Sequence, residues 1–204
     1  MPPKPNKSEA SRIALLEAAK MVLRKRGYSG LSTREVALAA GMPLSQIHYH
    51  FGSKDRMVLV LFEYLNEQLL SRQAELFENS TLKLSEQWML ACDYLDEDLA
   101  SGYVRVLQEL WTAGYANPEI AVVVRNGLLG WQRLLTELAL RAQVDLGLLP
   151  GMGCEQIASL IGTAFIGGEA FILLGLEKKG VPVRAALRGI GTMIATLEQP
   201  SRKR

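Results

Sequence analysis

The sequence has only two cysteines and two histidines among its 204 residues, which removes several kinds of site. Cys92 and Cys154 lie far apart, so a disulfide framework is not expected, and no CxxC pair or Cys/His cluster supports zinc. His48 and His50 stand two positions apart on a predicted helix, where side chains point about 200° apart. They therefore do not make a metal pair, and we expect neither a metal nor a cofactor.

A signal peptide is also not expected, because the first residues, Met1-Pro-Pro-Lys-Pro-Asn-Lys7, contain no apolar core. This predicts a cytoplasmic protein. One stretch, Gln156 to Leu176, has 21 residues with Glu169 as its only charge and is long enough to span a bilayer. A carboxylate inside the span would cost a few kcal/mol. We therefore expect a helix that is buried on all sides within a water-soluble fold.

Net charge is small overall but uneven along the chain. The total is +2, yet residues 1–56 contain ten Lys/Arg and four Asp/Glu, a balance of +6, which leaves −4 for the remainder. Only the N-terminal quarter is basic. This favours contact with phosphate there and not along the whole chain.

Two short helices joined by a tight turn are predicted within this basic quarter. Ser32 followed by Glu35 is a capping box, which starts the first helix. Gly41 ends that helix, because glycine adopts the left-handed conformation without strain. Pro43 lies at or next to the first position of the second helix, where a missing N–H costs nothing. That helix ends near Phe51, so the pattern is a helix-turn-helix.

The second helix is polar on one side to an unusual degree. Its inward positions are Leu44, Ile47 and Phe51, at spacings of three and four. The rest of its surface carries hydroxyl, amide and imidazole groups that suit base edges and phosphates. A helix with a diameter of about 10–12 Å fits the major groove of B-DNA. The alternative is an ordinary solvated helix surface.

At these residues the sequence resembles the N-terminal domain of the tetracycline-repressor (TetR) family of bacterial regulators. The resemblance covers roughly residues 9–60 and includes a long basic first helix, Gly27-Tyr28, Ser-Thr-Arg-Glu-Val-Ala and Ile47-His-Tyr-His-Phe-Gly-Ser-Lys54. Two positions depart from the family pattern. His48 lies where a DNA-contacting tyrosine is usual, and Pro43 lies where Ser or Thr usually caps the reading helix.

Groups that flank the reading helix are expected to hold phosphate. Lys54 lies at a helix start, an end that prefers anions, and a bound phosphate would resolve that conflict. The resemblance implies the same role. The complete set of predicted DNA-binding residues is Thr33, Arg34, Leu44, Ser45, Gln46, His48, Tyr49, His50 and Lys54.

The rest of the chain shows helical periodicity and no strand pattern, which predicts an all-α fold of about nine helices. We expect a DNA-binding domain over residues 9–56, with its motif at about 32–51, and a helical ligand-binding and dimerisation domain over 57–199. The helices after the motif are predicted at about 54–79, 82–99, 102–115, 118–144, 154–176 and 183–198.

Aromatic and isolated polar residues in this second domain suggest a ligand cavity, mostly apolar with a few polar groups. The alternative is an ordinary aromatic core. Glu169 is the strongest polar candidate, because a buried carboxylate needs a partner. The predicted ligand-binding residues are Trp88, Glu109, Trp111, Asn126, Trp131, Phe165 and Glu169.

The last two helices appear in the sequence as two-sided. The final one has Val183, Leu187, Ile190, Ile194 and Leu197 at steps of four and three, with a second face of smaller residues. The resemblance implies a homodimer through these helices. A monomer with an apolar surface is the alternative.

These observations favour a repressor that a small hydrophobic ligand releases from a palindromic operator, an inverted repeat. A constitutive DNA-binding regulator without an effector is the second hypothesis. An all-α enzyme with an incidental helix-turn-helix is the third, and no nucleophile, metal cluster or phosphate loop supports it. The protein is therefore expected not to be an enzyme.

Overall fold

The computed structural model describes residues 7–27, 30–147 and 151–199, and these residues are all-α. They form nine α-helices and one short 3₁₀ helix, with no strand among them. The helices are α1 (Lys7–Arg26), α2 (Thr33–Ala39), α3 (Leu44–Phe51), α4 (Lys54–Glu78), α5 (Leu84–Ser101), α6 (Tyr103–Gly114), α7 (Pro118–Leu146), α8 (Cys154–Leu173) and α9 (Val183–Leu197), with the 3₁₀ helix at Leu176–Lys179. The predicted fold class is confirmed.

Predicted helix boundaries agree with the observed ones to within three residues. The largest difference is at the end of α8, which was expected near residue 176 and stops at Leu173. Gly175 adopts φ +75° there, a left-handed conformation that ends the helix and leads into the 3₁₀ turn. Tyr28, the N-terminal residues 1–6 and the basic tail 200–204 lie outside the described residues.

The chain forms two compact units, which are described separately. Unit 1 is Met1–Glu67 with Asp98–Val124, and unit 2 is Gln68–Glu97 with Arg125–Arg204. α4, α5 and α7 each contribute residues to both units. The predicted domain boundary after residue 56 concerns the segment that is expected to bind DNA, and it stays a prediction.

Unit 1 has an apolar core to which α1, α3 and α4 contribute fully buried residues. Leu16, Leu31, Ile47 and Leu61 are fully buried. α6 also belongs to this core, because the ring of Tyr103 stacks on Phe62 with centroids 5.6 Å apart. Its hydroxyl donates a buried hydrogen bond to Asn66 Oδ1 at 2.9 Å, so a polar bond inside the core orients α6 against α4.

Unit 2 is held by close helix contacts and a polar edge. A Cβ on Gly168 of α8 would lie 2.9 Å from Val183 Cγ1, and a Cβ on Gly191 of α9 would lie 2.9 Å from Trp88 Cδ1. These glycines therefore let α9 approach α8 and α5 closely. At the end of α9, Glu198 accepts hydrogen bonds from the backbone N–H and the hydroxyl of Ser85 at 2.9 and 2.5 Å.

Arginines of α9 form ion pairs with acidic residues of α5. Arg184 donates from Nε to Asp96 at 2.6 Å and also pairs with Glu177. Arg188 lies 2.5 Å from Asp93, and this carboxylate raises the pKa of the Arg188 guanidinium. These pairs are partly exposed, so we attribute the alignment of the two helices mainly to the glycine contacts.

α8 is the one helix among the described residues that is long and apolar enough to cross a membrane, judged by length and composition. The expectation that it is buried on all sides is wrong for the described chain. Phe165 and Glu169 are buried, but Leu160 is 60% exposed and Phe171 46% exposed. One face packs against the rest of unit 2, and the opposite face is apolar and uncovered.

Candidate nucleic-acid interface

α2 begins as the capping pattern predicts, although Glu35 has a different partner. The Glu35 N–H donates to Ser32 Oγ at 3.2 Å. The Glu35 carboxylate lies 3.0 Å from Nη1 of Arg26 at the end of α1. The Glu35 carboxylate thus forms an ion pair with Arg26 in place of the predicted reciprocal bond to the Ser32 backbone, and this pair fixes the start of α2 against α1.

The turn between α2 and α3 has the backbone conformation that its glycine predicts. Gly41 has φ +63°, and the Met42 N–H donates to the Ala37 carbonyl at 3.0 Å. Pro43 is the N-cap of α3 with extended backbone angles, and it makes no side-chain capping bond. Leu44 is therefore the first helical residue, and its half-buried side chain starts the inward face.

α3 presents its polar side to solvent. Ile47 and Phe51 are buried and hold the helix on unit 1, while Ser45, His48 and Tyr49 are exposed and Gln46 is half-buried. Tyr49 is 73% exposed. An aromatic ring with a hydroxyl is poorly placed there for stability alone, but it suits a base edge or a sugar.

The two histidines of α3 have different environments. The His48 ring is exposed, and its Nδ1 lies 3.2 Å from the carbonyl oxygen of Gly52. His50 is half-buried, and its Nε2 atom is buried without a hydrogen-bond partner among the described residues. Its ring lies edge-on to Tyr49, with centroids 4.8 Å apart. Any DNA contact of His50 would therefore involve the other edge of its ring.

The start of α4 is capped beside the reading helix. The hydroxyl of Ser53 accepts the Arg56 N–H at 3.1 Å. Lys54 is half-buried at the first helical position. Arg34 is exposed and Thr33 half-exposed at the start of α2. These residues have the charge or hydroxyl groups needed for phosphate, and their roles stay predictions.

The predicted ligand-binding residues fall into two groups. In unit 2 the rings of Trp88 and Trp131 both contact Phe165 edge-on, with centroid distances of 5.7 and 5.9 Å. We call these three residues the aromatic cluster. Glu169 follows Phe165 by one turn of α8 and is also buried.

Hydrogen bonds fix both indoles of the aromatic cluster. Trp88 donates to the Leu187 carbonyl at 2.8 Å, and Trp131 donates to Gln73 Oε1 at 2.7 Å. Gln73 is buried and was not predicted as a site residue. The spacing of the sequence could have identified Gln73, because this residue follows Leu69 by four positions and so lies on the apolar side of α4.

The other predicted ligand residues are not part of this cluster. Glu109 and Trp111 lie on α6 in unit 1, where Glu109 is exposed and Trp111 half-buried. Asn126 is exposed on α7. Apolar sequence neighbours do not bury these two polar residues, because both point away from the apolar sides of their helices. A ligand role for them stays a prediction.

An apolar groove of about 340 Å³ lies in unit 2 and was not predicted as such. Its walls come from α5, α7, α8 and α9 and include Trp88, Leu160, Ile190, Met193 and Leu197. All its lining residues are apolar. It therefore differs from the predicted cavity, which was expected to contain a few polar groups.

Comparison with known proteins gives sequence matches that include the helix-turn-helix. Residues 15–61 match the family model described as bacterial regulatory proteins, tetR family. The HTH-type transcriptional regulator CymR of Pseudomonas putida is 40% identical over 58 residues, which cover 28% of this chain and 29% of that protein. The chain therefore matches this relative over less than a third of either protein.

Solved structures extend the likeness to the whole fold. A TetR transcription regulator from Haloarcula marismortui has a TM-score of 0.73 at 16% identity and covers 92% of this chain and 97% of its own. A protein from Saccharomonospora viridis, solved in complex with choline, has a TM-score of 0.72 at 22% identity and covers 93% and 97%. Residues 15–61 therefore match the tetR family of bacterial regulatory proteins at the helix-turn-helix, and the chain shares the fold of these solved structures along its remaining helices.

Proposed function

We propose that the protein is a cytoplasmic repressor that binds an inverted-repeat operator as a homodimer and leaves it when a small hydrophobic ligand binds. The observation that carries the proposal is the polar exposed side of α3, held on buried Ile47 and Phe51 in the basic part of the chain. Positive charge supplies affinity for phosphate, and α3 supplies groups for base edges.

The uncovered apolar face of α8 and α9 supports the homodimer. Leu160, Phe171, Met193 and Leu197 are 46 to 68% exposed. A twofold dimer through these helices would bring one reading helix per subunit to the same side of DNA. The two reading helices would then enter successive major grooves, about 34–36 Å apart, which requires an inverted repeat.

Sedimentation velocity at micromolar concentration tests the dimer. Met193→Lys places a charge on the proposed interface, and Val144→Lys is the matched control on α7, where the side chain is 84% exposed. We expect a monomer for Met193→Lys and a dimer for the control. A monomeric wild type, or a selected DNA consensus without dyad symmetry, would contradict the proposal.

The aromatic cluster and Glu169 support a hydrophobic ligand that is neutral or cationic. Aromatic faces attract cations, and a buried carboxylate favours a positive charge nearby. The Saccharomonospora viridis structure contains choline, a cation with an apolar head. We propose that the ligand shifts α4, which contributes residues to both units, and so changes the spacing of the two reading helices. The release of DNA would follow from the higher affinity of the ligand for the shifted state.

Titration with paired ligands tests the proposed ligand class. Choline and its uncharged isostere 3,3-dimethylbutanol, longer hydrophobic amines, fatty acids and a nucleotide are each added to a protein–DNA complex. Tryptophan fluorescence and DNA release are recorded together. We expect release by a hydrophobic class. Glu169→Gln should weaken the binding of choline more than the binding of its uncharged isostere. Glu137→Gln, which changes an exposed carboxylate on α7, should weaken the binding of neither ligand. Tight binding of the nucleotide would overturn the ligand class.

The second candidate is a constitutive regulator without an effector, and one observation favours it. The indoles of Trp88 and Trp131 already donate hydrogen bonds within the chain, and Phe165 packs against both rings. Such side chains can fill the space between helices by themselves. Failure of every hydrophobic class to change fluorescence or DNA affinity would support this candidate.

A further inference from the structure

The His48 ring is tied to the backbone at the end of the reading helix. Its Nδ1 lies 3.2 Å from the Gly52 carbonyl oxygen, and the Gly52 N–H donates to the His48 carbonyl at 3.0 Å. Gly52 has φ +76° and ψ −56°, backbone angles that favour glycine, and its carbonyl oxygen lies beside the His48 ring. Side chain and backbone of His48 are therefore both joined to one residue.

This contact selects the tautomer of the imidazole. A carbonyl oxygen can only accept a hydrogen bond, so His48 Nδ1 must carry the proton. In a neutral ring, the opposite nitrogen, Nε2, is then an acceptor. Since the residue is exposed on the polar side of α3, this acceptor is available to a partner outside the chain.

DNA offers few groups that can satisfy such an acceptor. Phosphate oxygens, guanine N7 and O6 and thymine O4 all accept. The hydrogen-bond donors in the major groove are the amino groups adenine N6 and cytosine N4. A neutral His48 therefore suits a base edge that carries an amino group and does not suit a phosphate.

We infer that His48 is a specificity-determining residue that accepts a hydrogen bond, through Nε2, from the exocyclic amino group of adenine or cytosine in the operator. The inference rests on the proposed binding of α3 in the major groove. It separates two residues that the sequence groups together, because His50 Nε2 is buried and His50 is expected to support α3 without reading a base through that atom.

Nuclear magnetic resonance of the free protein tests the tautomer without DNA. The chain has two histidines, so a ¹H–¹⁵N correlation of the imidazoles at pH 8 contains two ring systems, and His48→Asn assigns them. We expect a protonated Nδ1 and an unprotonated Nε2 for His48. A protonated Nε2 at pH 8 would overturn the inference whatever DNA is bound.

Selection from random DNA at pH 8 tests the reading role. His48→Asn keeps a donor near the position of Nδ1 but lacks Nε2, so a purely structural role would leave the consensus unchanged. We expect the variant to lose preference at one base pair per half-site where the wild type selects adenine or cytosine. The control Glu137→Gln, which changes an exposed carboxylate on α7, should keep the wild-type consensus.

Base analogues at that position identify the amino group. Purine replaces adenine, or 2-pyrimidinone replaces cytosine, so that only the amino group of the base is lost. Wild-type affinity should fall about five- to tenfold, as expected for one hydrogen bond of about 1–1.4 kcal/mol, and the affinity of His48→Asn should change less than about twofold on the same scale. An unchanged consensus, or equal losses for both proteins, would overturn the inference alone. A wild type that selects no consensus would overturn the proposed function as well.

Discussion

Gly191 provides the most direct test of the packing in unit 2. A Cβ at this position would lie 2.9 Å from both Trp88 Cδ1 and Met89 Sδ, and 3.3 Å from Met89 Cγ. The thioether of Met89 can move, but Trp88 is only 3% exposed and its indole N–H is bonded to the Leu187 carbonyl. We therefore expect Gly191→Ala to strain the contact between α9 and α5.

The expected change in the free energy of unfolding follows from two opposing effects. Alanine is favoured over glycine inside a helix by about 0.8–1.0 kcal/mol. Overpacking a well-packed core costs about 1–3 kcal/mol. Gly189→Ala is the matched control, because it lies on the same helix and its Cβ would have no heavy atom within 4 Å. Both variants gain the same helix preference, so it cancels when their free energies of unfolding are compared. This difference should be about 2 kcal/mol, with Gly191→Ala the less stable variant.

Urea unfolding monitored by circular dichroism measures this difference. In thermal unfolding the melting temperatures of the two variants should differ by about 4–8 °C. Both variants are measured at two protein concentrations, because an effect on subunit association depends on concentration and a strained contact within one subunit does not. The Trp88 emission should shift in Gly191→Ala alone. If Gly191→Ala were as stable as Gly189→Ala, the close approach of α9 to α5 would be refuted.

Three further predictions concern other parts of the chain. Lys54→Ala should weaken binding to operator and random DNA alike and reduce the salt dependence by about one counterion; a changed base preference with an unchanged salt slope would contradict a phosphate role. Tyr103→Phe removes the buried hydrogen bond to Asn66 and should lower the free energy of unfolding by about 1–2 kcal/mol, measured by urea unfolding, with the DNA consensus unchanged. Burial raises the pKa of the Cys92 thiol from its ordinary 9.0 to about 11, so the folded state retains a proton that the unfolded state loses. Stability should therefore fall between about pH 9 and 11, and this fall should be smaller in Cys92→Ala, while a thiol reagent at pH 8 should not react with folded Cys92.

The sequence by itself determined the all-α class, the helix boundaries and the helix-turn-helix. These features depend on signals within a few residues of one another. Ser32 and Ser53 accept N–H groups three residues ahead, and Gly41 supplies the one backbone conformation that the turn requires. Such local hydrogen bonds and dihedral preferences do not need the rest of the chain, so they can be read before the fold is known.

Only the tertiary structure decided which distant side chains meet. Trp88 and Trp131 are each separated from Phe165 by tens of residues, and both contact its ring. Glu109 and Asn126, with equally apolar sequence neighbours, are exposed. The structure also distinguishes the environments of His48 and His50, and it shows that the last helices carry an apolar face that the described residues do not cover. Periodicity shows that a helix has an apolar side, but the choice between core, ligand and partner depends on packing against helices far away in sequence, because burial is a property of the assembled surface and not of a single segment.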